Sequence, residues 1–194
     1  MIRKLKKDRR GFTLIEIVAI LAVIAILVAV VSPMVVKYIK DARIRKAQAD
    51  VKTIGAAILA FAKDTRRWPV YSDAGEEAYD ALQTSVGDTP DIAEGITIPS
   101  DIGDIEDQLI TNEPGYPTGT GERKWKGPYL EKVGADPWGN KYYVDVKGLR
   151  KDKINELMPA FCISAGPNGI LETKFGQEGP SIDIGGDDIV FRIK

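Results

Sequence analysis

Arg9-Arg10-Gly11-Phe12-Thr13-Leu14-Ile15-Glu16 opens an almost unbroken apolar run that extends to Val36. From Phe12 to Val36 the only ionisable side chain is Glu16. At about 1.5 Å rise per residue, a helix of this length crosses a bilayer core of about 30 Å. The sequence therefore predicts a membrane-spanning helix close to the start of the chain. A carboxylate one turn into such a helix costs on the order of 3 kcal/mol in lipid unless a partner answers it. Glu16 thus calls for a cationic partner.

An ordinary secretory signal has its cleavage site after the apolar region, at small residues, and carries no glutamate at its start. A plain single-span anchor accounts for the apolar run and its basic flank, but not for the order Gly-Phe-Thr-Leu-Ile-Glu. That order resembles the class III signal of type IV pilins and type II secretion pseudopilins. The resemblance implies a short basic leader cut by a prepilin peptidase between Gly11 and Phe12, and N-methylation of the new Phe12 amine. It also implies that Glu16 pairs with the Phe12 amine of a neighbouring subunit during assembly.

Six basic residues and Asp8 give the first eleven positions a side-chain charge of +5. By the positive-inside rule this end stays cytoplasmic, and the remainder faces outward. The remainder carries 21 basic and 27 acidic residues. A net charge of −6 offers no general attraction to nucleic acid or anionic lipid. The division expected is a leader over 1–11, a membrane segment over 12–36 and a periplasmic ectodomain over 37–194.

With no histidine and a single cysteine, Cys162, the chain has neither a Ser/His/Asp or Cys/His catalytic set nor the usual zinc ligands. No intramolecular disulfide can form. Cys162 lies among apolar neighbours in Ala160-Phe161-Cys162-Ile163-Ser164, which suits a buried structural thiol.

Beyond the membrane run the helical period continues. Ile44, Ala47, Val51, Ile54, Ile58 and Phe61 recur at steps of three and four, predicting one helix from Phe12 to about Arg66. Pro33 inside it removes a backbone donor and is expected to kink or loosen it. Trp68-Pro69 ends it. The stretch from Val70 to Lys126 is rich in Gly, Pro, Asp and Thr. In it, Asp73 and Glu76 read as a capping box for a short helix through Leu82, and Ile102, Ile105 and Leu109 as the face of another.

A second informative stretch is Trp125-Lys126-Gly127-Pro128-Tyr129-Leu130, followed by Asp136-Pro137-Trp138-Gly139-Asn140-Lys141-Tyr142-Tyr143. Tight turns and aromatic core explain these residues by themselves, with a strand beginning over Tyr142 to Val146. Their order also resembles the signature of the type II secretion major pseudopilin. Fold and function follow from that resemblance as expectations: an α+β pilin-like domain, its long N-terminal helix packed on a small antiparallel sheet. The subunit would assemble into a homo-oligomeric periplasmic filament that drives protein export, together with minor pseudopilins and an inner-membrane assembly platform. The alternative is a type IV pilus subunit, major or minor, used in adhesion, motility or DNA uptake. Neither reading is enzymatic, and no nucleic acid partner is expected.

The same resemblance implies calcium. In major pseudopilins a Ser-x-Gly-x-Asp-Gly turn and a Gly-rich loop ending in Asp-Ile hold the ion. Here these correspond to Ser164-Ala165-Gly166-Pro167-Asn168-Gly169 and to Asp183-Ile184-Gly185-Gly186-Asp187-Asp188-Ile189. The expected ligands are Asn168, Asp187 and Asp188, with Ser164 and Asp183 behind them. Asn168 replaces the usual Asp, and the stretch from Glu172 to Ile184 lacks the usual Gly spacing. Calcium takes about six to eight oxygens in flexible geometry, which a Gly- and Asp-rich loop supplies. It would cross-link a loop that has no disulfide. A solvated acidic turn is the other reading.

Overall fold

In a computed structural model the residues described are 11–72, 75–153 and 156–194. The leader up to Arg10 and the capping residue Asp73 lie outside them. The chain divides into two compact units, residues 1–42 and 43–194.

Helix α1 runs Leu14–Thr65, within one or two residues of the predicted ends, and is assigned as helix straight through Pro33. It is long and apolar enough to cross a membrane. In the first unit its apolar side chains are uncovered: Phe12, Leu14 and Ile15 are each at least 75% exposed. From Ala47 onward one face is buried, through Val51, Ile54, Ala57, Ile58 and Phe61, while Ile44 is half-buried. This is the predicted stripe, and it changes the helix from uncovered to core-forming within a single element.

The second unit holds a five-stranded sheet ordered β3-β1-β4-β5-β7. Its strands are β1 (Ala81–Gln83), β3 (Ile102–Asp104), β4 (Tyr143–Asp145), β5 (Phe161–Ser164) and β7 (Ile189–Arg192). Strands β1, β4, β5 and β7 pair antiparallel, as expected, and β3 adds to the β1 edge in parallel. Two short strands, β2 (Asp91–Ile92) and β6 (Ile170–Leu171), form a separate parallel pair.

Alternation along the strands builds two cores. Val144 and Cys162 belong to the cluster that includes the buried helix face, together with Leu82, Ile105, Leu109 and Tyr142. Tyr143, Phe161 and Ile163 point the other way and pack with Leu171, Ile98, Phe175 and Val190. Cys162 is fully buried, and burial pushes its thiol up, away from ionisation. It is structural, as its neighbours predict.

Within the second unit, aromatic edges and two polar links fix the later part of the helix to the rest of that unit. Phe61 meets Tyr116 at 4.9 Å between centroids and Tyr129 at 5.6 Å, both edge-on; such pairs contribute roughly 0.5–1.5 kcal/mol each. The Tyr142 hydroxyl donates to Asp50 at 2.8 Å, and Lys126 pairs with Asp64 at 3.3 Å. Gly55 is small for a reason. A Cβ there would meet the Phe191 ring at 2.5 Å, so β7 packs directly on the helix backbone.

The 70–126 stretch differs from its reading. Leu82 lies in strand β1, not at the end of a helix, and Ile102 in strand β3. Of the expected second helix only a turn remains, ending in π-helical Asp107–Thr111, which buries Ile105 and Leu109. The apolar positions are core-forming as expected, but the period was set by strand pairing. Gln108 organises the segment: its amide donates to the Tyr71 carbonyl at 2.9 Å and its oxygen accepts the Tyr116 hydroxyl at 2.5 Å.

Candidate functional site

Two regions gather the residues to which the sequence assigns function. The first is the head of α1. Thr13 precedes the helix, and its N–H and hydroxyl both donate to Glu16 Oε2 at 2.8 Å, while the Glu16 N–H donates back to Thr13 Oγ1 at 3.3 Å. This reciprocal pair is a capping box, which satisfies donors that the first helical turn leaves open. The sequence reading treats Glu16 only as a charge awaiting a cation. The signal it passed over is Thr13-x-x-Glu16, the spacing of that box. Gly11 and Phe12 lie just outside the helix and are exposed.

The second region is the turn after β5 and the loop before β7. Asn168 N–H donates to Asp187 Oδ2 at 3.2 Å, and the Asn168 amide nitrogen donates to Glu172 Oε2 at 2.9 Å. Asp188 Oδ2 accepts the N–H groups of Glu172 at 2.9 Å and Thr173 at 2.6 Å. The other oxygen, Asp188 Oδ1, is buried and has no hydrogen-bond partner among the described residues. Burial raises the Asp188 pKa above the ordinary carboxylate value, against the pull of those N–H donors. Such an orphaned oxygen costs roughly 1–3 kcal/mol or more.

Glycines let this loop close. Gly186 has φ of 49°, and any Cβ there would collide with the Glu172 carboxylate. Asn168, Asp187, Asp188 and Glu172 are thus brought together. Asn168 Oδ1 accepts the Ile170 N–H at 2.7 Å, so the amide also caps the turn into β6. Asp183 is elsewhere: its backbone N–H and carbonyl bond to the Gln177 side chain, at 2.7 and 2.9 Å. Among the described residues no three Asp, Glu, Cys or His side chains form a metal cluster.

Ser164 serves the Asp-Pro-Trp-Gly-Asn turn. Its hydroxyl donates to Asp136 Oδ2 at 2.7 Å, and Asp136 Oδ1 accepts the N–H groups of Trp138 at 2.9 Å and Asn140 at 2.8 Å. Asp136 is 4% exposed. A single buried carboxylate thereby shapes that turn and anchors it to the end of β5, a role the sequence reading left unassigned.

Residues 6–32 match the family described as the prokaryotic N-terminal methylation motif, and residues 106–169 match type II secretion system protein G. The chain is also similar to the type II secretion system core protein G of Pseudomonas aeruginosa. The two are 28% identical over 146 residues, covering 75% of this chain and 79% of that protein. No solved structure matches. An apolar N-terminal helix under a methylation motif, continuing into a small sheet, defines a pilin-like subunit. Within that class, the match over residues 106–169 and the 28% identity to a core protein G make the chain similar to the major pseudopilins of type II secretion. Asp187 and Asp188 lie beyond the residues matched to protein G.

Proposed function

We propose that this chain is the major structural subunit of a type II secretion pseudopilus, anchored in the inner membrane with its ectodomain in the periplasm. The observation that carries this reading is the presence in one chain of the methylation motif and the protein G segment. Prepilin peptidase cuts between Gly11 and Phe12, and the Phe12 amine is methylated. Copies then bundle through their uncovered stems, with minor pseudopilins and an inner-membrane assembly platform as partners. Glu16 pairs with the Phe12 amine of a neighbour, which specifies register, because a buried charge without its partner is costly. The chain itself performs no chemistry.

Calcium is the proposed ion of the C-terminal loop. Asn168, Asp187 and Asp188 would hold it, with Glu172 alongside. The orphaned Asp188 oxygen and an oxygen-only donor set support that assignment. The ion would neutralise the gathered carboxylates and tie the turn after β5 to β7, where the chain has no disulfide.

The test of function is the culture medium of a strain lacking this gene, compared with its parent. Retention of a defined set of exported proteins in the periplasm is the expected result. An unchanged medium with surface filaments or motility lost would overturn the secretion assignment.

A further inference from the structure

The end of α1 carries a cationic cleft that no part of the reading above uses. It has a volume of about 390 Å³ and lies between Thr65–Arg67 at the helix end, Tyr116 and Pro117, and the loop Glu122–Lys124. A second, smaller hollow of about 180 Å³ shares Arg66 and Arg123 with it and adds Lys63 and Lys126. Six basic side chains therefore rim this corner, against Asp64 and Glu122. Among the described residues, only Lys126 is committed to a carboxylate there, that of Asp64. Among the described residues, Lys63, Arg66, Arg123 and Lys124 form no ion pair.

Cations near a helix C-terminus are favoured by its dipole, which accounts for Lys63, Arg66 and Arg67. It does not account for Arg123 and Lys124, delivered by a loop more than fifty residues downstream. Arg66 and Arg123 also hold left-handed backbone, with φ of 56° and 59°. Glycine or asparagine would occupy such positions at less cost. Tyr116 and Pro117 also line the cleft, beside its cationic side chains.

The complementary surface lies in the same chain. Between Trp68 and Glu122 there are thirteen acidic residues and no lysine or arginine. Glu77 and Asp80 of this stretch are answered within the unit by Lys151 and Arg150. Asp88, Asp91 and Glu94 are not: they are exposed and in no ion pair among the described residues. Around β2 they flank Val86 and Ile92, each 46% exposed. This exposed acidic segment, with two uncovered apolar side chains, is opposite in sign to the cleft.

We infer that the cleft formed by Arg66, Arg67, Arg123 and Lys124 receives the Asp88–Glu94 segment of a second copy of this chain. The inference rests on the filament reading and deepens it. A contact between two different patches is heterologous, and unless its rotation closes a ring it propagates as an open helix. Opposite charge also penalises wrong docking, because like-charged faces repel. The ectodomains thereby hold a contact of their own beside the stem bundle, distinct from anything Glu16 supplies.

The test uses the full chain in its membrane. Arg123→Cys and Asp91→Cys are combined in one chain and treated with a short bismaleimide; Cys162 is buried and does not compete. A ladder of cross-linked copies is expected, and either substitution alone gives at most dimers. Arg123→Glu with Lys124→Glu, or Asp91→Lys with Glu94→Lys, should lower filament yield by about tenfold. Combining both reversals should restore it, which excludes misfolding as the cause. Filaments of normal yield without a ladder would overturn the docking and leave the pseudopilus assignment standing. A ladder without any filament would uphold the docking and sink the assignment. Cross-linking of the cleft thiol only to a different protein would overturn the inference.

Discussion

Glu16 and Asp188 are both carboxylates that the fold must answer without water's full help, and it answers them differently. At Glu16 the partner is local: one oxygen takes the N–H and the hydroxyl of Thr13, three residues away. At Asp188 one oxygen takes two backbone N–H groups from across the loop, and the other has none. A capping box is complete within a single chain. An orphaned buried oxygen is not, and it asks for something brought from outside. In the proposed filament, Glu16 needs a further partner only once the helix head is buried among neighbours, where the proposed cleavage supplies the Phe12 amine.

The largest expected effect breaks that comparison at Glu16. Gln caps a helix nearly as well as Glu but carries no charge. If charge pairing drives assembly, Glu16→Gln should be processed normally and yield almost no filament. Thr13→Val removes the local box, at about 1 kcal/mol for a lost cap, and should still assemble. Filaments from Glu16→Gln at normal yield would reduce Glu16 to a capping residue. Bulky replacement of Gly11 should block both variants upstream, leaving precursor of full length on a gel.

At Asp188 the expected effect is smaller and thermodynamic. A ligand that binds only the folded state at a hundredfold excess over its Kd stabilises by about 2.7 kcal/mol. The full chain in detergent should therefore melt higher in calcium than in chelator, and Asp188→Asn should abolish the difference. Equal melting temperatures would remove the ion and leave an acidic turn that tolerates a strained oxygen.

How far the sequence disclosed these sites follows from how local each one is. The helix was legible to within two residues because an apolar run over 12–36 passes into a stripe at steps of three and four over 44–61, and Trp68-Pro69 stops it. Asn168 and Asp187 were legible as neighbours through a resemblance, although they are joined only by closure of the loop. Strand β1 was not legible: three residues long, it is specified by Tyr143, Val144 and Asp145, some sixty positions away. Asp136 was hidden for the same reason, since its link to Ser164 spans 28 residues. The Thr13–Glu16 box is fully local, but the same glutamate heads an apolar run, where its charge in lipid is the stronger signal than its spacing from Thr13.

Asp145 supplies a third carboxylate against which the other two can be sharpened. It is fully buried in β4, with Oδ1 accepting Lys147 N–H at 3.1 Å and Oδ2 accepting Gly176 N–H at 2.5 Å. Both oxygens are answered, yet burial still raises its pKa from 3.8 to about 6. The folded state therefore holds a proton that the unfolded chain releases, so stability rises as pH falls through 6 and levels off below about 4. Between pH 7 and pH 5 the gain from this group is about 1 kcal/mol. Burial shifts Asp188 in the same direction, so the slope should be read in chelator and again in Asp145→Asn. The variant should lose most of it. An unchanged slope would assign the pH response to Asp188, and would mean that two good backbone donors suffice to keep a buried carboxylate ionised.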